Sequence, residues 1–105
     1  MPLQPIPARK LLRDLLKSGK FISPGAGTHA RQEMNKDGIT DPDILNVLRG
    51  GTVDPPEWEN GDWRYRVRTQ RFTVIVALDP EPDENEPPDV EETEIHIVTA
   101  WRNGP

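Results

Sequence analysis

The sequence predicts an α+β domain, in which helices occupy the first half of the chain and an antiparallel sheet occupies the second half. Apolar residues recur at helical spacing as far as residue 50, and from residue 52 onwards they alternate with polar residues, as in β-strands. A length of 105 residues is sufficient for one domain with a single core. We therefore expect residues 1–105 to form one unit.

Three short helices are predicted before any convincing strand. Leucines at positions 11, 12, 15 and 16 form an apolar stripe between Pro7 and Gly19, which are residue types typical of a helix start and end. Thr28 is a suitable N-cap for a second helix, and Asp41 with Pro42 opens a third. The predicted helices span residues 7–18, 29–37 and 41–49.

A β-hairpin between residues 62 and 78 is the clearest strand signal in the chain. Apolar and basic residues alternate from Trp63 to Arg68, so successive side chains point to opposite faces of the strand. A two-residue turn at positions 69–70 or 70–71 keeps the apolar residues of the second strand on the same face as those of the first. The opposite face, called the arginine face below, carries Arg64, Arg66 and Arg68 beside Arg71 and Thr73.

Further strands flank this hairpin. A short strand at Thr52 and Val53 and a tight turn at Asn60 and Gly61 precede it, and a last strand is predicted at residues 93–101. We expect a four-stranded antiparallel sheet, with the helices on one face and the arginine face open. Regular alternation in the last strand would direct Ile95, Ile97, Thr99 and Trp101 towards the core, and His96, Val98, Ala100 and Arg102 away from it.

Charge is unevenly distributed along the chain. The net charge is −5, but nine of the 18 acidic residues lie between Asp79 and Glu94, where there is no basic residue. The rest of the chain has 13 basic and 9 acidic residues, which gives a net charge of +4. We predict that residues 79–92 form a flexible acidic loop, and that this loop competes electrostatically with RNA for the arginines.

The composition argues against several classes of site. There is no cysteine, and the phosphate-binding loop, the dinucleotide-binding glycine pattern and the nucleophilic serine motif are missing, so no cofactor is expected. His29 and His96 do not make a metal site by themselves, and no carboxylate stands at ligand spacing from them along the chain, so no metal is expected. No stretch has the length of a membrane span, and we expect a cytoplasmic location without membrane contact.

The arginine face is the main functional signal. Three guanidinium groups two residues apart repel one another unless an anion lies among them. Because guanidinium groups match the oxygens of phosphate, one interpretation is a phosphate-binding face. The other interpretation is a solvated strand face whose charge is balanced by Glu57, Glu59 or the acidic loop.

A metal-free RNA-cleaving site can be built from such residues. A base takes the proton of the ribose 2′-hydroxyl, an acid protonates the leaving 5′-oxygen, and cations stabilise the charged phosphorane. Arginine suits the cationic role, but it stays protonated, so the base would be His29, His96 or Tyr65. Tyr65 has the parity of the apolar face and is expected in the core.

Several short motifs resemble a bacterial family of small toxin-like proteins. The matching segments are residues 28–34, 37–39, 43–44, 47–51, 65–67 and 97–99, and residues 9–21 are similar to the start of MqsR-type toxins. That family is grouped with the RelE-like and MqsR-like messenger-RNA endonucleases of toxin–antitoxin pairs. The acidic loop departs from the pattern of these toxins, which mostly lack it.

The resemblance implies a RelE-like fold and a toxin that cleaves messenger RNA, and the residue chemistry above indicates cleavage without a metal. It also implies two partners, a cognate antitoxin and RNA, either free or on the ribosome. Together with the residue chemistry above, it gives the predicted site. The predicted catalytic residues are His29, Arg64, Arg66, His96 and Arg102, and the predicted RNA-binding residues are Arg31, Arg68, Arg71 and Thr73.

A function of a different class is also consistent with the sequence. A face rich in arginine binds carboxylates as well as phosphates. The alternative is therefore a non-enzymatic interaction module, which binds an acidic protein partner through its arginine face and breaks no bond.

Overall fold

A computed structural model of the protein describes residues 1–104, in which three α-helices pack against a six-stranded sheet. The predicted α+β class is confirmed. The predicted number of four strands is wrong. The elements are α1 (Pro5–Lys17), β1 (Phe21–Ile22), α2 (His29–Lys36), α3 (Asp41–Gly50), β2 (Thr52–Val53), β3 (Glu57–Glu59), β4 (Asp62–Arg68), β5 (Phe72–Asp79) and β6 (Glu94–Arg102).

The sheet has the strand order β1-β6-β5-β4-β2, and β3 also pairs with β4. All pairs are antiparallel except that of β1 with β6, in which Phe21 lies opposite Ile95. The sequence gives no sign of β1, because a strand of two residues is too short to show any alternation.

Local signals in the sequence explain most of the element boundaries. Thr28 caps α2 by accepting a hydrogen bond from the backbone N–H of Arg31, and Thr40 and Asp43 form a reciprocal capping box at the start of α3. Asn60 and Gly61 both have positive φ, at 50° and 85°, as the tight turn between β3 and β4 requires.

Close packing at Gly51 joins α3 to the sheet. A Cβ atom at this position would lie 2.6 Å from the carbonyl oxygen of Val47 and 2.9 Å from that of Arg68. Any larger residue would therefore push the end of α3 away from β4.

The core lies between the helices and the inner face of the sheet. Tyr65 is buried there, and its hydroxyl donates a 2.8 Å hydrogen bond to the carbonyl oxygen of Leu3. Burial raises the pKa of Tyr65 to about 12, with a smaller contribution from the negative charge of Glu81. Tyr65 is therefore a core residue, as its parity predicts. The largest fully buried side chains around it are Leu12, Leu15, Met34, Ile44, Leu48, Ile95, Val67, Val74 and Val76.

A β-bulge in β6 corrects the predicted facing of the last strand. Ile75 pairs with Thr99 whereas Val76 pairs with Ile97, so Val98 is an extra residue without a partner on β5. The extra residue reverses the alternation beyond it. Ile95 and Ile97 point into the core as predicted, but the core then takes up Ala100 rather than Thr99 and Trp101.

The acidic loop is held to the body of the domain at several points. The N-terminal ammonium lies 3.6 Å from Asp83, and the backbone N–H of Glu84 donates to the carbonyl oxygen of Met1. Lys20 donates to the carbonyl oxygen of Glu91, and Val90 packs against the core. The loop thus lies beside the N-terminus and is fixed there by both backbone and side-chain contacts.

Candidate nucleic-acid interface

The outer face of the sheet, opposite the helices, brings together several of the predicted residues. Arg64 on β4, Ala77 on β5 and His96 on β6 are aligned across the three strands. Because neighbouring strands lie about 4.8 Å apart, the backbones at Arg64 and His96 are about 10 Å apart. The small side chain of Ala77 leaves the space between them open.

Because of the bulge in β6, the side chain of Trp101 also lies on this outer face. It aligns with Thr73 and Arg68, is 36% exposed, and has the guanidinium carbon of Arg66 5.9 Å from its ring centroid. An exposed indole beside a guanidinium group can stack with a nucleic-acid base while the cation contacts phosphate. Arg66 itself is exposed, and within residues 1–104 no carboxylate lies within 4.0 Å of it.

The other two arginines of the row have carboxylate partners. Arg68 Nε lies 3.1 Å from Asp54 Oδ2, and this pairing raises the pKa of Arg68. Arg64 Nη1 lies 4.0 Å from Glu59 Oε1, and Glu57 stands directly opposite Arg64 in the sheet. Much of the positive charge of the row is therefore balanced locally.

The acids that balance the arginine row come from β3 and from the segment after β2. Asp54 follows β2, and Glu59 belongs to β3. In the described part of the chain, no carboxylate of the acidic loop pairs with the arginine row, so the competition expected from that loop has no contact to support it.

Arg64 is more buried than Arg66 and Arg68. Its side chain is 18% exposed, and its Nε atom is buried without a hydrogen-bond acceptor among the described protein atoms. A buried N–H group normally has an acceptor, supplied by protein, water or ligand.

His96 lies between two carboxylates at one end of the face. Its Nε2 atom is 3.3 Å from Glu94 Oε1 and 3.5 Å from Asp79 Oδ2. Asp79 and Glu94 face each other across β5 and β6, so both carboxylates contact the same imidazole nitrogen.

Within residues 1–104, the same three side chains are the one group that could hold a metal ion. One potential ligand atom from each of them lies within 4.8 Å of the other two. This group was not predicted. Glu94 stands two residues before His96 on β6, but Asp79 is distant along the chain and comes close only through the pairing of β5 with β6.

Three of the predicted site residues belong to the helical side of the domain. His29 is 87% exposed on α2, where its nearest acid is Glu33 at 3.9 Å. Arg31 binds Asp41 at 3.0 Å and the carbonyl oxygen of Pro24, so it links α2 to the start of α3. The structure does not bring His29 or Arg31 to the arginine row.

Arg102 also lies on the helical side, because the bulge reverses its facing. It pairs with Phe72, and its guanidinium group donates to the carbonyl oxygen of Asp37 at the end of α2. The predicted position of Arg102 beside His96 is wrong. Its contacts with Asp37 and the Phe72 ring fasten β6 to α2.

The remaining predicted RNA contacts are near the turn between β4 and β5. Arg71 is exposed there and lies over the Phe72 ring. Thr73 is on the arginine face by register, but it is only 4% exposed, and its hydroxyl is hydrogen-bonded to Asn103. Thr73 therefore supports the end of β6 and offers little surface to a ligand.

This surface is an open sheet. The cavity between Arg64, Arg66 and Glu57 measures about 20 Å³, which is too small for a ligand to enter. A partner must lie across the strands, in the way that single-stranded nucleic acid or an extended peptide lies on a sheet.

The chain matches no family model, no curated protein and no solved structure. The resemblance to RelE-like and MqsR-like toxins therefore remains a prediction that rests on short motifs. Among residues 1–104, no helix combines the length and apolar character needed to cross a membrane.

Proposed function

We propose that the protein is a toxin-type endoribonuclease that binds single-stranded RNA across the outer face of its sheet and cleaves it without a metal ion. The observation that supports this proposal best is the shared placement of Arg66, Trp101 and His96 on one open face. This arrangement provides a cation for phosphate, a surface for stacking and a proton acceptor.

The proposed reaction assigns one role to each group. The neutral form of His96 takes the proton of a ribose 2′-hydroxyl through the ring nitrogen that carries no proton, and the 2′-oxygen then attacks the adjacent phosphorus. The bond from phosphorus to the 5′-oxygen breaks, and the leaving oxygen takes a proton from water. The products are a 2′,3′-cyclic phosphate and a 5′-hydroxyl, while Arg64 and Arg66 stabilise the charged phosphorane.

The roles of the other predicted residues follow from their positions. Arg68 lies at the turn end of the same face and is assigned to RNA binding outside the reacting phosphate. Arg71 lies over the Phe72 ring, as Arg102 does, and is assigned no role on this face. His29, Arg31 and Arg102 are excluded from the reaction in this proposal, because they belong to the helical side. The resemblance adds a cognate antitoxin as the partner that would block the face, and the cytoplasm as the location.

Labelled RNA incubated with the purified protein tests the proposal. We expect products that end in a 2′,3′-cyclic phosphate, and no cleavage of an oligonucleotide in which the ribose at the cut site lacks its 2′-hydroxyl. His96→Gln should lower the rate by about a hundredfold or more, the usual contribution of a general base. His29→Gln should leave the rate unchanged.

A non-enzymatic module that binds an acidic protein segment is the second candidate. It is favoured by the carboxylates of Asp54 and Glu59, which already occupy part of the arginine row. RNA that stays intact, together with binding of a poly-glutamate peptide that Arg66→Gln weakens, would replace the first proposal with this one.

A further inference from the structure

A second positively charged surface lies on the opposite side of the domain. It is formed by the exposed side of α1 and the end of α3, and it carries Arg9, Lys10, Arg13, Lys17 and Arg49, all of which are exposed. One acid, Asp14, lies among these five cations, so the local net charge is +4. We call this surface the helical groove.

The five cations of the helical groove lack acidic partners. Among the residues that the structure describes, no carboxylate oxygen lies within 4.0 Å of their side-chain nitrogens. Uncompensated charges of one sign attract anions and repel one another, so an anion placed among them is stabilised. The helical groove differs in this respect from the arginine row.

The shape of the groove indicates where an anion would bind. A cavity of about 250 Å³ between α1 and α3 is lined by Arg13, Leu16, Lys17 and Arg49. Arg13 Nε donates a 3.2 Å hydrogen bond to the carbonyl oxygen of Arg49, which fixes the spacing of the two helices at this point. Three cationic side chains thus surround one space that a phosphate group can enter.

The groove continues along α1 beyond this cavity. A second cavity of about 410 Å³ shares Arg13 and Lys17 with the first and reaches Arg9 and Lys10. Arg9, Arg13 and Lys17 are spaced four residues apart, which places them on one side of the helix at intervals of about 6 Å. A single phosphate contacts only one end of this row, whereas several linked phosphates contact all of it.

We propose that the helical groove binds a linear anion with several linked phosphates, such as a polyphosphate or the backbone of a nucleic-acid strand. The site is separate from the sheet face, so the proposal does not depend on RNA cleavage. Arginine and lysine both suit it, because the ligand presents phosphate oxygens without a fixed orientation.

Titration calorimetry with tripolyphosphate at low ionic strength tests the proposal. Tripolyphosphate should bind to the wild-type protein, and inorganic phosphate should bind at least tenfold more weakly. Lys17→Gln should weaken tripolyphosphate binding about two- to fivefold, as expected for the loss of one exposed ionic contact. Lys17→Gln combined with Arg49→Gln should weaken it further and should leave the hydrogen bond from Arg13 to the backbone of Arg49 intact.

Lys36→Gln is the matched control. Lys17 and Lys36 are both exposed lysines in the last turn of a helix, where a positive charge also stabilises the helix terminus. Only Lys17 lines the groove, so Lys36→Gln should leave tripolyphosphate binding unchanged. Equal losses in the two variants would overturn the proposal, as would equal affinity for inorganic phosphate and tripolyphosphate.

A competition experiment identifies the source of the phosphates. A single-stranded oligonucleotide that displaces tripolyphosphate supports a nucleic-acid backbone as the ligand, and failure to displace it supports a free polyphosphate. Absence of tripolyphosphate binding at low salt would overturn the site, even if the protein cleaves RNA.

Discussion

The arginine row on β4 and the helical groove contain similar residues, but their charges are used differently. On the sheet, Arg68 and Arg64 each face a carboxylate, at 3.1 and 4.0 Å. In the groove, Arg13, Lys17 and Arg49 face none among the described residues. The number of basic residues in a stretch of sequence is therefore a poor guide to the charge that a ligand meets.

The difference follows from the architecture. A strand in the middle of a sheet has neighbours on both sides, so the side chains of β3 and of the segment after β2 come close to the arginines of β4. The exposed side of α1 faces solvent, and within residues 1–104 no carboxylate lies within 4.0 Å of its cations. We infer that the sheet face recognises a ligand by contact and shape, whereas the helical groove attracts it by charge.

The largest expected effect of a substitution on RNA affinity is at Trp101, the residue that most distinguishes the sheet face. Trp101→Ala should reduce the affinity for single-stranded RNA by about 1–3 kcal/mol, the usual contribution of one stacked base. Because the indole is partly exposed, we expect a smaller effect on the free energy of unfolding. Fluorescence anisotropy with labelled RNA and urea denaturation measure the two quantities. Unchanged RNA affinity of Trp101→Ala would show that RNA does not bind to the sheet face.

Tyr65→Phe tests the core that both surfaces share. The substitution leaves the carbonyl oxygen of Leu3 without its buried partner, which should lower the free energy of unfolding by about 1–2 kcal/mol. Urea denaturation at neutral pH checks this value. Since neither surface contains Tyr65, the affinities for RNA and for tripolyphosphate should change together or not at all. A change in only one of them would show that this surface alone depends on the packing around Tyr65.

Asp54→Asn should make the charge of the sheet face more similar to that of the helical groove. It releases Arg68 from its carboxylate partner. RNA binding should become tighter, and the slope of log Kobs against log salt should become steeper by about one unit for the one additional phosphate contact. An unchanged slope would mean that Arg68 does not contact phosphate.

The smallest expected effect concerns pH and the helix that carries Arg49. Hydrogen bonds from the backbone N–H and the side chain of Thr40 lower the pKa of Asp43. A lowered pKa in the folded state means that ionised Asp43 stabilises the fold above pH 3.8, its ordinary pKa, and that this stabilisation is lost as the pH falls through the folded-state value. Urea denaturation of Asp43→Asn and the wild type should therefore give a stability difference at pH 7 that narrows below pH 4. A stability difference between the two proteins that does not change with pH would contradict the capping role of ionised Asp43.

The sequence predicted the parts of this molecule that depend on local patterns. The three helices, the turn at Asn60 and Gly61, and the faces of β4 follow from residue spacing and cap chemistry, and the structure confirms them. The facing of Trp101 and Arg102 could not be predicted from residue spacing. One unpaired residue, Val98, reverses the alternation without leaving a signal in the sequence.

The candidate site was harder to predict, because it depends on contacts between distant residues. Arg64 and His96 were correctly assigned to one face from their parity, but the carboxylates around them come from other strands. The basic residues of α1 were visible in the sequence as the polar side of a helix. Only the packing of α1 on α3 shows that Arg49 joins them and that no acid compensates them.

The side-chain Nε–Hε resonances of the arginines, followed by NMR during a titration with tripolyphosphate, test the difference between the two surfaces most directly. Arg13 and Arg49 report on the helical groove, whereas Arg64 and Arg68 report on the sheet face. We predict that the resonances of Arg13 and Arg49 shift at lower tripolyphosphate concentrations than those of Arg64 and Arg68. Earlier or equal shifts at Arg64 and Arg68 would contradict the account.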